Sequence, residues 1–323
     1  MRVVSLFSGC GGLDLGFLWG GHEVIWANDT DPDAVDTYKE NIGDNIVLAP
    51  IELIPSDVIP PCDIVIGGFP CQGFSVANMK RHVEDARNKL YLELLRVIKD
   101  KKPAFFLAEN VKGLVNLDRG KVLEIILDDF RKSGYFVKYK ILDTADYGVP
   151  QHRQRVIFIG IRKDLNCEID FPKPTHGNTQ LSHNTAVKPW ITIGEALKDI
   201  PEPEDAPQIP NHTCSKYKLR FVGYLGHRIV DPEKPAPTVT ARGDNRGGVV
   251  VLHHPNNHRR MSARELAIAQ SFPMDFVFKG TQSSVYRQIG NAVPPLFAKA
   301  ISLAFTMKVS SGFEGYSCRS TVK

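Results

Sequence analysis

A loop that carries a cysteine beside glycines and polar residues is the most informative feature of the 323-residue chain. The apolar run Ile64–Ile66 ends in Gly67–Pro70, and Cys71, Gln72 and Ser75 follow. An apolar run closed by glycine and proline is typical of a buried strand that delivers a loop at its carboxyl end. Ligands bind at that edge of an open parallel sheet, so Cys71 is a candidate nucleophile. The alternative is a small buried hydrophobic residue, which describes most free cysteines.

Five further motifs accompany the Cys71 loop along nearly the whole chain. They are Phe7–Gly12, Glu109–Val111, Gln151–Arg155, Arg264–Glu265 with Gln270–Pro273, and Gln288–Pro294. Their residues and their order resemble those of the C5-cytosine DNA methyltransferases of bacterial restriction-modification systems. The resemblance implies a transferase that moves a methyl group from S-adenosyl-L-methionine to C5 of a cytosine in a specific double-stranded DNA sequence. It also implies a Rossmann-like class I methyltransferase fold.

The resemblance gives four side chains a part in catalysis. Carbon 5 of cytosine is a poor nucleophile, so the thiolate of Cys71 would first form a covalent bond to C6. Glu109 would protonate or hydrogen-bond N3 and the exocyclic amine, and Arg155 would hold O2 as charge spreads over the ring. Arg153 and Asn110 would support these groups. Taken singly, Glu109 could be a charge at a helix N-terminus, and Arg155 could be a salt-bridge partner.

The loop after the first strand predicts the cofactor site. Its glycines let the backbone approach a ligand, and the helix that follows offers free N–H donors. A dinucleotide fingerprint would need glycine at position 14, where the chain has Asp14, so NAD is disfavoured. The resemblance implies that the cofactor contacts are Phe7, Ser8, Gly9, Gly11, Leu13, Asp29, Pro50, Ile51, Phe69, Pro70, Asn291 and Val293.

Three of these contacts have an alternative or depart from the family pattern. Asp29 is placed to accept the ribose hydroxyls, but residues 29–31 also precede a helix that one of them could cap. Where the family has Gly-Asp-Ile, the chain has Ala49–Ile51, so Pro50 cannot bind the adenine amino group through its side chain. Asn291 could instead be a loop residue before a helix that begins at a proline.

A base inside a duplex cannot present C6 to a thiol, so the resemblance implies that the target cytosine is flipped out. The polar segment 76–89 resembles the loop that closes over DNA in this family. Residues 211–260 hold nine basic and three acidic side chains, which suits a surface that faces DNA but also fits an ordinary solvated face. The candidate DNA contacts are Gln72, Ser75, Arg87, Arg220, Arg228, Arg242 and Arg246.

Alternating apolar runs and helical patterns over residues 1–162 predict a doubly wound α/β sheet, with strands that include Asp63–Ile66 and Ala104–Leu107. Residues 1–170 are predicted to form the catalytic and cofactor-binding domain. The Pro-, Gly- and Asn-rich residues 171–283 would form a smaller, irregular target-recognition domain. Residues 284–309 would return to the catalytic domain, and 310–323 would be a disordered tail.

Composition excludes several classes of protein. No apolar run approaches the roughly 20 residues that span a bilayer, and the N-terminus is predicted to be the first strand rather than a signal peptide. Six cysteines without a Cys-x-x-Cys pair argue against a zinc site or disulfide framework and for a reducing compartment. We expect a monomer without a metal, in the bacterial cytoplasm and bound to the nucleoid through DNA. A cognate restriction endonuclease would act on the same DNA site without physical contact.

Two rival functions fit parts of the sequence. A tRNA methyltransferase of the same family usually shows Pro-Pro-Cys-Gln and a later Cys-Phe-Thr, whereas this chain has Phe69 before Pro70 and no Cys-Phe-Thr. A nucleic-acid-binding module that has lost catalysis would not need intact Cys71, Glu109 and Arg155. An assay of methyl transfer to duplex DNA separates these possibilities.

Overall fold

A seven-stranded mixed sheet forms the centre of the computed structural model, which describes residues 1–70, 89–165, 167–178, 187–213, 227–241, 251–255 and 259–309. The strands are β1 (Arg2–Leu6), β2 (Glu23–Asp29), β3 (Ile46–Leu48), β4 (Ile64–Gly67), β5 (Phe105–Val111), β6 (Tyr135–Asp143) and β7 (Gln154–Arg162). Their spatial order is β3-β2-β1-β4-β5-β7-β6. Strand β7 is antiparallel to both neighbours and the other pairs are parallel, which confirms the doubly wound α/β class.

The central strands of this sheet are buried on both faces, which explains why they are continuous apolar runs. In β4, Ile64 and Ile66 pack in the hydrophobic cluster on one face, and Val65 packs in the cluster on the other. The first cluster includes residues of α1 (Gly12–Trp19) and α8 (Pro295–Val309). The second includes residues of α3 (Lys89–Lys101) and α4 (Lys121–Lys132). A further helix beside the sheet, α2 (Pro32–Asn41), packs near β3 through Tyr38.

Strand β5 is longer than the sequence predicted. The apolar run suggested an end at Leu107, but the strand continues to Val111 because β7 pairs with it in antiparallel register, Glu109 opposite Ile157 and Val111 opposite Arg155. Glu109 therefore lies within a central strand. The alternative of a charge at a helix N-terminus was wrong.

The region after residue 171 is built from short elements. They are β8 (His176–Gly177), β9 (Lys188–Pro189), α5 (Ile193–Leu197), β10 (His227–Ile229), β11 (Val251–His253), α6 (Ala263–Ala269) and α7 (Gln282–Asn291). Helix α6 begins with a reciprocal capping box between Ser262 and Glu265. The hydrophobic cluster of this region also includes Cys10 and Leu15 from the first 20 residues.

The last described helix, α8, packs against α1. A Cβ added at Gly16 of α1 would lie 2.2 Å from the Cβ of Ala298, so the two helices are in direct contact at this point. Phe297, Ile301 and Phe305 of α8 are fully buried against the sheet. Within the described residues, no helix is both long and apolar enough to span a bilayer.

Candidate active site

The loop between β1 and α1 has the tight backbone expected of a ligand-binding turn. Phe7 and Gly9 have φ values of 56° and 55°, and Gly11 has a φ of 90°. Glycine adopts this left-handed conformation at little cost, whereas a side chain at position 11 would be strained. A Cβ added at Gly12 would lie 2.3 Å from the carbonyl oxygen of Val293. The structure thus brings the first and last predicted cofactor motifs into contact.

Asp29 ties the end of β2 to this loop. Its carboxylate accepts the N–H of Gly9 at 2.7 Å and the N–H groups of Thr30 and Asp31 at 2.8 and 2.9 Å. Burial raises the pKa of Asp29, and these backbone hydrogen bonds oppose the rise. The cap of α2 is Asp31, whose side chain accepts from the N–H of Asp33, so the helix-cap alternative does not apply to Asp29. Its contact with the ribose stays a prediction.

The segment Ala49–Ile51, which stands where the family has Gly-Asp-Ile, is hydrogen-bonded to a side chain of β2. Asn28 donates through Nδ2 to the carbonyl of Ala49 at 2.7 Å. Pro50 precedes a short 3₁₀ turn, Ile51–Leu53, whose Leu53 N–H is donated to the Pro50 carbonyl at 3.0 Å. Pro50 is exposed, whereas Ile51 lies in the hydrophobic core at 1% exposure.

Glu109 and Arg155 form a buried ion pair at the carboxyl end of the parallel strands. Arg155 Nε lies 2.8 Å from Glu109 Oε1, and each side chain is 11% exposed. A Cβ added at Gly68 would lie 3.1 Å from Glu109 Oε2, so the pair sits beside the loop that leads to Cys71. Burial lowers the pKa of Arg155, and the charge of Glu109 opposes that decrease. Arg155 is thus a salt-bridge partner, but one whose partner is the predicted catalytic carboxylate.

Asn110 fixes the end of the Cys71 loop. Its Nδ2 donates to the carbonyl of Phe69 at 2.8 Å, and its Oδ1 accepts the N–H of Val111 at 2.8 Å. The ring of Phe69 is buried against Tyr91, with 5.6 Å between ring centroids. The described loop ends at Pro70, which is half-buried. The predicted residues Cys71, Gln72, Ser75 and Arg87 lie outside the described residues.

Arg153 lies near the ion pair and is 2% exposed. It donates to the carbonyls of Val239 at 2.7 Å and Gly290 at 2.8 Å. Burial lowers its pKa well below the ordinary value, and the positive charge of Arg155 adds to that effect. These contacts favour a supporting role over direct contact with substrate.

The second wall of the predicted cofactor site lies between α7 and α8. Asn291 is the last residue of α7 and is exposed, while Val293 is 8% exposed and Leu13 of the facing helix is 6% exposed. Helix α8 does begin at a proline, Pro295, as the alternative for Asn291 supposed. Ser8 is buried and donates from its hydroxyl to Ser5 Oγ at 2.9 Å.

A groove of about 550 Å³ adjoins the ion pair. It is lined by Val111, Lys112, Gly113, Asp143, His152, Gln154, Arg155 and Thr238. Sequence reasoning gave no role to His152, although it lies within the Gln151–Arg155 motif. Its Nδ1 lies 3.1 Å from Asp143 Oδ2, and this hydrogen bond raises the pKa of His152. Its ring also packs edge-on against Trp190 at 4.7 Å.

Of the five arginines predicted to contact DNA, only Arg228 lies within the described residues. It is exposed on β10. Arg220, Arg242 and Arg246 lie outside those residues. The division of DNA contacts between bases and phosphates therefore stays a prediction.

Taken together, the mixed sheet, the glycine loop beside Asp29 and the Glu109–Arg155 pair define a class I methyltransferase. The chain belongs to the C-5 cytosine-specific DNA methylases, whose family model matches residues 1–306. Enzymes of this family transfer the methyl group of S-adenosylmethionine to C5 of cytosine in DNA. The chain is accordingly a DNA (cytosine-5-)-methyltransferase.

Individual relatives agree with this assignment. The chain is 41% identical over 317 residues to the Type II methyltransferase M.NgoFVII of Neisseria gonorrhoeae, covering 91% of this chain and 83% of that protein. It is 35% identical to the Type II methyltransferase M.BsuRI of Bacillus subtilis, covering 94% and 78%. A solved structure of the S. pombe Dnmt2 methyltransferase has a TM-score of 0.71 at 22% identity over 96% of this chain and 99% of that one, which supports the fold.

Proposed function

We propose that this enzyme methylates cytosine in a specific duplex sequence through a covalent bond between Cys71 and C6, as the modification enzyme of a Type II restriction-modification system. The main support is the Glu109–Arg155 pair, 2.8 Å apart and largely buried beside Gly68. A carboxylate and a guanidinium at this edge, beside a glycine that stands three residues before Cys71, are the groups that conjugate addition to a pyrimidine needs.

In the proposed reaction, the Cys71 thiolate attacks C6 of the flipped cytosine while Glu109 holds a proton at N3. Arg155 holds O2 as negative charge spreads over the ring, and it also orients Glu109. After methyl transfer, a base removes the C5 proton and the Cys71 sulfur leaves C6, which restores both the aromatic ring and the thiolate. Asn110 and Arg153 keep the loop and the strand in place.

The residues around the glycine loop fit S-adenosylmethionine. The loop is open at Gly9, where a Cβ would have no atom within 4 Å, and the Asp29 carboxylate beside it suits the ribose hydroxyls. Asn291 and Val293 would close the opposite side. When bound, the cofactor supplies an electrophilic methyl group. Asp29 and the loop would hold it, and Phe69 and Pro70 would be further contacts.

The proposal extends to organisation and setting. Residues 1–170 and 284–309 would carry the chemistry, and residues 171–283 would read the target, although α7 begins at Gln282, just before the proposed boundary. The Type II names of the similar proteins support a partner endonuclease that cuts the same site. We also propose that the protein is a monomer and that it associates with the nucleoid only through DNA.

The decisive experiment offers duplex DNA, tRNA and 5-fluorocytosine duplex to the purified enzyme with tritiated S-adenosylmethionine. We expect label in the DNA and a complex with the fluorinated duplex that survives denaturation, since fluorine cannot leave as a proton does. Cys71→Ser should abolish both. Cys62→Ser is the matched control because Cys62 is a half-buried free cysteine at the other end of β4. Trapping by Cys71→Ser would show that another residue is the nucleophile, and label in tRNA alone would contradict the DNA target.

A further inference from the structure

Two fully buried glutamine side chains form a series of hydrogen bonds that the proposed reaction does not use. Gln151 Oε1 accepts the N–H of Val239 at 2.7 Å, and Gln151 Nε2 donates to Gln270 Oε1 at 2.7 Å. Gln270 Nε2 in turn donates to the carbonyls of Ile289 at 2.5 Å and Ala292 at 3.3 Å. We call Gln151 and Gln270 the amide relay; both are 0% exposed.

The amide relay and Arg153 satisfy the carbonyl groups at the end of α7. The last carbonyls of a helix have no partner within it and need donors from elsewhere. Gln270 supplies the donor for Ile289, and Arg153 supplies the donor for Gly290. Asn291 and Val293, the proposed wall of the methyl-donor site, belong to this same turn. The position of that wall therefore depends on Gln270 and Arg153.

The other end of the amide relay holds the segment Ala236–Ala241. Gln151 accepts the N–H of Val239, and Arg153 donates to the carbonyl of Val239. This segment leads directly into residues 242–250, which contain Arg242 and Arg246.

Backbone contacts reinforce the same junction. Ala236 donates to the carbonyl of Pro150 and accepts from the N–H of His152, each at 2.9 Å. A Cβ added at Gly290 would lie 2.3 Å from the backbone nitrogen of Ala241. Helix α7 and the segment Ala236–Ala241 thus touch directly, so a displacement of one must move the other.

We propose that Gln151 and Gln270 are positioning residues that couple binding of the methyl donor to binding of DNA. A donor that orders the turn around Asn291 would, through the relay, order the segment leading to Arg242, and DNA on that segment would favour the donor in return. The coupling is reciprocal because it is a difference in free energy between the same four states. This inference rests on the proposed function only for the identity of the two ligands, the methyl donor and DNA.

Glutamine suits this position because one amide offers both an acceptor and donors. Gln151→Glu keeps the acceptor for Val239 but removes the donor to Gln270. Gln270→Glu removes the donors to Ile289 and Ala292. Gln288→Glu is the matched control: Gln288 is also buried in α7, but its side chain accepts from Thr37 and donates to the Lys279 carbonyl.

The experiment measures the dissociation constant of S-adenosyl-L-homocysteine with and without a duplex that bisulfite sequencing shows the wild type to methylate. We expect the duplex to tighten binding at least about 5-fold in the wild type and in Gln288→Glu, within the usual range of coupled sites. In Gln151→Glu and Gln270→Glu, the ratio should fall to about 1, while Cys71 still traps 5-fluorocytosine DNA. Equal ratios in all four proteins, or no coupling in the wild type, would overturn the inference.

A second measurement needs no variant and no DNA. Amide hydrogen exchange of residues 236–241 in the wild type is compared with and without S-adenosyl-L-homocysteine. The amide relay predicts slower exchange at Val239 when the homocysteine ligand is bound, although Val239 lies outside the proposed donor site. Unchanged exchange would overturn the inference even if the relay variants fail to fold. A wild type that methylates no duplex but shows this protection would count against the proposed function alone.

Discussion

Replacing Glu109 with glutamine tests the chemistry while nearly preserving the shape of the site. The change removes one charge from a pair whose atoms are 2.8 Å apart, with each side chain 11% exposed. Removing one partner of a buried ion pair costs about 3–5 kcal/mol when the other charge is left uncompensated. Glutamine still offers Arg155 an acceptor, so we expect a smaller loss of unfolding free energy, about 1–3 kcal/mol. Turnover should fall much further, by about 10²–10⁴-fold, because an amide can donate a hydrogen bond to N3 but cannot transfer a proton to it.

The control for this variant is a second buried pair away from the site. Arg259 Nη2 lies 2.8 Å from Glu265 Oε1, and the Glu265 side chain is 1% exposed. Glu265→Gln can keep the capping box and should show a similar loss of stability with unchanged turnover. Urea unfolding gives the stability, and single-turnover transfer of tritiated methyl groups gives the rate. Turnover of Glu109→Gln within about tenfold of the wild type would mean that Glu109 has no part in the chemistry. An equally slow Glu265→Gln would mean that the loss of rate follows from breaking a buried pair and does not identify a catalytic role.

Three further predictions concern the cofactor site, a buried acid and target choice. Pro50→Asp should tighten the binding of S-adenosylmethionine by about 1 kcal/mol, the net value of one hydrogen bond. Calorimetry showing no gain in affinity would mean that another group already binds the adenine amino group. Burial raises the pKa of Asp14 from 3.8 to about 7, so the folded state holds a proton that the unfolded state releases, and stability falls as the pH rises between these values. Asp14→Asn should reduce that fall in thermal unfolding series, and an identical pH profile would contradict it. Exchanging residues 172–260 for those of a related enzyme should redirect methylation, and a bisulfite map that keeps the original site would refute this division of labour.

Local pattern was enough to predict the sheet, the glycine loop and the order of the motifs. The apolar run Ile64–Ile66 and the glycines after it define β4 and its loop, because burial on both faces requires apolar side chains at every position. The extension of β5 past Leu107 was not predictable in this way. It depends on pairing with β7, which lies about 50 residues further along the chain. Nothing in the local sequence of β5 indicates that pairing.

Side-chain partners were the least accessible to prediction. Asp29 and Asp31 are both acidic residues before a helix, and only the approach of the Gly9 N–H separates their roles. The hydrogen bond between Gln151 and Gln270 joins residues 119 positions apart. Each glutamine is visible in a motif, but nothing in either motif says that the two meet.

The contact between α1 and α8 has a consequence for synthesis of the protein. The apolar face of α1, with Phe17 fully buried, is covered by residues of α8 that the ribosome adds almost 300 residues later. Until then, a nascent chain exposes a surface that invites aggregation or chaperone binding. Covering of this face of the sheet therefore waits for α8, and we expect a chain cut short before α8 to be an insoluble fragment rather than a partly active enzyme.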